Sequence, residues 1–155
     1  MPATDTAPKM VKKGAWISEH DAIYKTLMKI SRGVERLGAN GVNTRRLKKL
    51  AGEVEELRTT LERHFVGEER QGGLFDRLEE ILPEQGGTLG RLRKAHADFA
   101  TRLKAMHHEL RDGAVHDAKA LTKQLAELVA AVLDHERIEE RLTERALNWV
   151  PPKRD

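Results

Sequence analysis

Apolar residues recur at alternating intervals of three and four along most of the chain, the period of amphipathic helices rather than strands. Ile23, Tyr24, Leu27, Ile30, Val34 and Leu37 predict a first helix over about Ser18–Leu37, with Ser18 and Asp21 resembling a capping box. GANGVN (38–43) breaks it. Leu47, Leu50, Val54, Leu57 and Leu61 predict a second helix over about Thr44–Arg70. The pair Gly72–Gly73, a short apolar turn LFDRLEEIL and the break PEQGG (83–87) follow. Leu89, Leu92, Phe99, Leu103, Met106 and Leu110 predict a third helix over about Leu89–Arg111, with Thr88 as its N-cap. After DGAV (112–115), Leu121, Leu125, Leu128, Val132, Leu142 and Ala146 predict a fourth over about Asp117–Leu147, and Pro151 and Pro152 end the regular structure. Four long helices with short connections predict an all-α, up-down-up-down four-helix bundle. The expected organisation is a flexible tail at 1–15, one bundle domain at 16–150 and a short tail at 151–155.

The stripes are interrupted in an informative way. His20, His64, Glu68, His96, His135 and Glu139 all occupy core-facing phases. A buried glutamate must be paired, protonated or metal-bound, because an isolated charge is costly away from water. Measured from the helix ends that share one side of the bundle, the four histidines lie about 15–20 residues deep, or roughly 22–30 Å at 1.5 Å per residue. An antiparallel bundle therefore brings them into one layer.

His64 with Glu68 and His135 with Glu139 are i, i+4 pairs, so each pair projects from one helical face. The chain also repeats itself: a lone His followed by His-x-x-x-Glu-Glu occurs as His20, His64, Glu68, Glu69 and again as His96, His135, Glu139, Glu140. The repeat implies a pseudo-two-fold site with two His and one Glu from each half. Imidazole and carboxylate without thiolate suit iron, manganese or zinc. Two glutamates can bridge two metals, four histidines give each metal two nitrogens, and a bridging oxygen species and at least one open position complete the coordination. A structural metal is usually closed by four ligands, so this set fits binding or reduction of a small molecule better.

Composition narrows the alternatives. The 155 residues carry 34% charged and only 4% aromatic side chains, with a net charge of +3 from well-mixed signs. That favours helices and gives no case for a nucleic-acid or membrane partner. There is no cysteine, which excludes disulfides, thiol catalysis and cysteine-held metal clusters. MPATDTAPKMVKKGAW has no apolar signal segment, so a cytoplasmic protein is expected.

The stretches SEHDAIYKTL, LERHFVGEERQGGLFDRL, LRKAHADFATRL and LDHERIEERL resemble the hemerythrin-like (HHE cation-binding) family over about residues 17–147. The resemblance implies a di-iron centre with His20, His64, His96 and His135 as terminal ligands and Glu68 and Glu139 as bridging carboxylates, zinc or manganese being possible substitutes. Oxygen-carrying hemerythrins place a further His four residues after the third-helix His, where this chain has Ala100, and end on an Asp five residues after the last His, where this chain has Glu139 at four. The pattern is closer to a four-His, two-Glu branch that includes bacterial proteins of iron–sulfur repair and nitrosative stress, without their N-terminal cysteine segment. Ferritin-like proteins use Glu-x-x-His, which does not occur here.

The expected function is a non-haem di-iron protein that binds, senses or detoxifies O2, peroxide or NO, a class that includes peroxidase- or catalase-like turnover. The alternative is an iron-handling or metal-dependent interaction module without redox turnover. Among the remaining residues, Glu69 and Glu140 are expected on solvated flanks, with hydrogen bonding to the ligands as the alternative. Tyr24 is expected to pack in the core, with donation to a bridging oxygen as the alternative. His107, His108 and His116 are expected at the surface, and Trp16 and Trp149 at the bundle end near the site.

Overall fold

The computed structural model describes residues 13–112, 115 and 117–148, with side chains from residue 18 onward. Five α-helices run through them: α1 Lys13–Asn40, α2 Thr44–Glu69, α3 Leu74–Ile81, α4 Gly86–Arg111 and α5 Ala118–Leu147, with a 3-10 turn at Pro83–Gln85. The four long helices form the expected up-down-up-down bundle. α1 packs on α2 and α5, and α4 packs on the same two, so the ring closes. No helix among the described residues is long and apolar enough to cross a membrane.

Local chemistry sets the boundaries. Gly41 turns the chain after α1 at a φ of 83°, which favours glycine. The Asn43 side chain then accepts a hydrogen bond from the Arg46 N–H and starts α2. Asp117 caps α5 in the same way, accepting from the Ala120 N–H.

Three details differ from expectation. α1 is already helical at Lys13, the first residue described, so Ser18 and Asp21 lie inside the helix rather than at its cap. The predicted tail at 1–15 therefore overlaps α1 at its last three residues. α4 begins at Gly86, seeded by the Pro83 turn; Thr88 sits within its first turn and donates to Gln85 Oε1 at 3.1 Å. The apolar segment LFDRLEEIL is a helix, α3, rather than a turn. Its Leu74, Phe75, Leu78 and Ile81 are buried, and it packs on α2, α4 and α5. The rest of the 1–15 tail, the 151–155 tail, His116, Trp149 and the Trp16 side chain lie outside the described residues.

Because α3 closes one end, the core divides into two apolar clusters. The larger fills the bundle as far as Leu61, Phe65, Phe99 and Val132. The smaller joins Leu74, Phe75 and Leu78 to Leu89, Leu92, Leu142 and Ala146. On α4 and α5 the predicted site residues fall between the two clusters: His96 between Leu92 and Phe99, His135 and Glu139 between Val132 and Leu142. A polar layer is thus enclosed by hydrocarbon on both sides.

Candidate metal centre

All six residues singled out from the sequence are buried and brought together: His20, His64, Glu68, His96, His135 and Glu139 are each no more than 4% exposed. α1 supplies His20, α2 supplies His64 and Glu68 one turn apart, α4 supplies His96, and α5 supplies His135 and Glu139 one turn apart.

Glu139 sits at the middle, and its two oxygens face different histidine pairs. Oε1 lies 2.8 Å from His135 Nε2 and 3.5 Å from His96 Nε2. Oε2 lies 3.7 Å from His64 Nε2 and 3.9 Å from His20 Nε2. Glu68 Oε1 lies 3.3 Å from His64 Nε2 and 3.6 Å from His96 Nε2, so it too spans the pairs. His96 and His135 turn their Nε2 atoms towards each other at 3.0 Å.

Carboxylates near the surface lie behind three of the histidines, hydrogen-bonded to two of them. His64 Nδ1 meets Glu19 Oε2 at 2.7 Å, His20 Nδ1 meets Glu140 Oε1 at 3.3 Å, and His96 Nδ1 lies 3.5 Å from Glu69 Oε1. A carboxylate on Nδ1 fixes the tautomer that leaves Nε2 available to the interior, and makes it more basic. Glu69 and Glu140 are thus not merely solvated flanks. Glu140 is half-buried and Glu69 exposed, and each lies behind a histidine of the other half of the repeat. Tyr24 is half-buried and donates to Glu140 Oε1 at 2.7 Å, so its hydroxyl supports His20 at one remove rather than reaching the interior of the cluster. His107 is half-buried with Nδ1 3.1 Å from the Ala51 carbonyl oxygen, and His108 is exposed.

The sequence reading missed Glu136, which is fully buried beside the cluster. Its Oε2 lies 3.2 Å from His20 Nε2 and 3.7 Å from His64 Nε2. The signal was a second row on α5: Val129, Glu136 and Thr143, seven residues apart, are all buried. α5 contacts α1, α4 and α3, so it buries a wider face than a single stripe allows.

The electrostatics of the layer are strained. Burial opposes charge on His64, but Glu139, Glu136 and Glu19 outweigh it and push its pKa up to about 9. Burial, then the charge of Glu139, pushes Glu136 up to about 9 and Glu68 well above the usual carboxylate range. Burial lowers His20 and His96. Glu139 resists its own burial because His135, His64 and His96 hydrogen-bond to it, which holds it well below the usual range. One central anion is satisfied, and the other carboxyls are forced towards neutrality.

The donor set fits metal. Both oxygens of Glu136 are buried with no protein hydrogen-bond partner, and Glu68 and Glu139 meet the ring nitrogens of the same layer. Unpaired buried acceptors are rare, and Glu136 lies against His20 and His64 of the same layer. Two ligands of one first-row ion, with bonds of about 2.1 Å, stand about 3.0 Å apart at a right angle and about 3.4 Å apart in a tetrahedron. The contacts from 2.8 to 3.9 Å span those spacings. Two overlapping groups each offer ligand atoms within 4.8 Å of one another: His20, His64, Glu136 and Glu139, and His96, His135 and Glu139.

Imidazoles and carboxylates converging inside a helical bundle define a cation-binding helical protein. A family model described as the hemerythrin HHE cation binding domain matches residues 14–147, and the chain belongs to that family. Neither a curated protein nor a solved structure matches it.

Proposed function

We propose that the chain is a non-haem di-iron protein that binds, senses or detoxifies a small oxidant or gas: O2, peroxide or NO. The observation that carries this reading is the division of Glu139, one oxygen towards His20 and His64, the other towards His96 and His135. A carboxylate so placed could serve two ions, one in each overlapping group. His20 and His64 would hold one ion, His96 and His135 the other, with Glu68 and Glu139 shared. Two irons would supply a redox couple and an exchangeable coordination position.

The protein's own part is to orient, to neutralise and to exclude water. Glu19 and Glu140 hydrogen-bond two imidazoles from behind, and Glu69 places its charge behind a third. Phe65, Phe75 and Phe99 wall the other side. Phe65 stacks on His96 with centroids 3.6 Å apart, Phe75 lies 5.2 Å from the same ring, and Phe99 meets His135 edge-on at 5.3 Å. That apolar wall suits uncharged diatomic ligands, and favours a gas- or oxidant-responsive site over an iron-handling or interaction module.

The test is the optical spectrum of iron-loaded protein titrated with peroxide and, separately, with NO under anaerobic conditions. Bands that respond to either and are lost in His135→Ala support the proposal. Two bound irons with a spectrum indifferent to both overturn the gas or oxidant role and leave the iron-handling alternative.

A further inference from the structure

The internal repeat is nearly symmetric in its ligands, and one position breaks it. The residue after the His of His-x-x-x-Glu is Phe65 on α2 and Glu136 on α5. The two occupy equivalent places in the two halves, about 100° round the helix from their histidine. Phe65 lies flat against His96 and 5.9 Å from His135. Glu136 faces the other pair, 3.2 Å from His20 and 3.7 Å from His64. One histidine pair therefore receives an aromatic wall where the other receives a carboxylate.

No hydrogen bond of the fold uses that carboxylate. Glu136 is fully buried, and neither oxygen has a hydrogen-bond partner. The carboxylates behind the histidines, Glu19, Glu69 and Glu140, keep contact with solvent, whereas Glu136 points into the interior beside Glu139. A glutamate kept there for packing would be replaceable by leucine or glutamine at no loss, and with gain for the empty fold.

We infer that Glu136 is a seventh protein ligand, serving the ion held by His20 and His64, so that the two metal positions are chemically unequal. This rests on the two-ion reading above. The His20–His64 position then has one more anionic donor and fewer exchangeable places. The His96–His135 position keeps the extra open place, beside Phe65, Phe75 and Phe99, and takes the incoming small ligand.

The experiment loads wild-type and Glu136→Gln protein with 57Fe(II) anaerobically and measures iron per chain, Mössbauer spectra and release to a chelator. Glutamine keeps the shape and removes the charge, and circular dichroism verifies that the variant is folded. The expected wild-type result is two irons, two quadrupole doublets of equal area and two release phases. In Glu136→Gln the slow phase accelerates at least ten-fold and one doublet changes or is lost, while the other is unaltered. Glu136→Asp retains part of the slow phase. Two irons in both proteins, with the same doublets and release rates, overturn the inference and leave the two-ion reading intact. A wild type that never takes up two ions overturns the two-ion reading and the inference with it.

Discussion

Replacing Glu136 by glutamine has opposite consequences for the empty and the loaded protein, and the empty protein gives the cleaner number. In the metal-free fold Glu136 keeps its proton up to about pH 9, whereas the unfolded chain ionises it near 4.5. A carboxyl with a raised folded pKa contributes stability that is fully present below 4.5 and is lost as pH rises through 9. At pH 8 the gap is about three and a half units at about 1.4 kcal/mol each, or roughly 5 kcal/mol. Glu139 raises and His64 lowers the same carboxyl, so the working figure is about 2–5 kcal/mol. Glutamine, shaped like the neutral acid, removes only the pH-dependent part. Urea unfolding of chelator-treated protein from pH 5 to pH 8 measures it. The two proteins should be of similar stability near pH 5, and Glu136→Gln should be more stable by about 2–5 kcal/mol at pH 8. Parallel pH profiles would refute the argument, because they would mean that Glu136 is ionised and satisfied in the empty fold.

Four further outcomes follow from the same contacts. Between pH 6.5 and 9 the raised groups His64 and Glu136 both lose stability for the empty fold, while the lowered His20, His96 and Glu139 act only below that window. The Tm gain on iron loading should therefore grow with pH across the window, and a gain that shrinks would contradict the assigned shifts. Tyr24→Phe removes the donor to Glu140 and loosens His20, so metal affinity should fall about ten-fold with little change in the empty protein's Tm, as read by chelator competition. Phe65→Leu removes the ring stacked on His96 and should cost about 1–2 kcal/mol in urea unfolding; an unchanged midpoint would show that the ring supports nothing. Leu78→Ala, in the fully buried face of α3, should cost about 2–5 kcal/mol and speed metal release, whereas unaltered release would show that α3 does not close the site.

The helical period and the polar interruptions made most of this architecture legible. Six polar residues in apolar phases are anomalous whatever the fold, and an antiparallel bundle places them at one depth. Less legible were features set by tertiary neighbours. The LFDRLEEIL segment has too few residues for its period to declare itself, and it is helical because Phe75 and Leu78 find Leu89, Leu92 and Leu142 to pack against. Glu136 lies off the single stripe of α5, on a face that turns to His20 of α1 and His64 of α2. The support of His20 and His96 by Glu140 and Glu69 crosses between halves of the repeat, so it depends on which helices are neighbours and not on spacing along any one of them.

The most direct measurement is iron per chain in protein loaded with ferrous iron, for wild type, His135→Ala and Glu139→Ala. The account predicts two irons in wild type, fewer in His135→Ala, and the greatest loss in Glu139→Ala, because that carboxylate faces both histidine pairs. One iron or none in wild type, or two irons retained without Glu139, would contradict it.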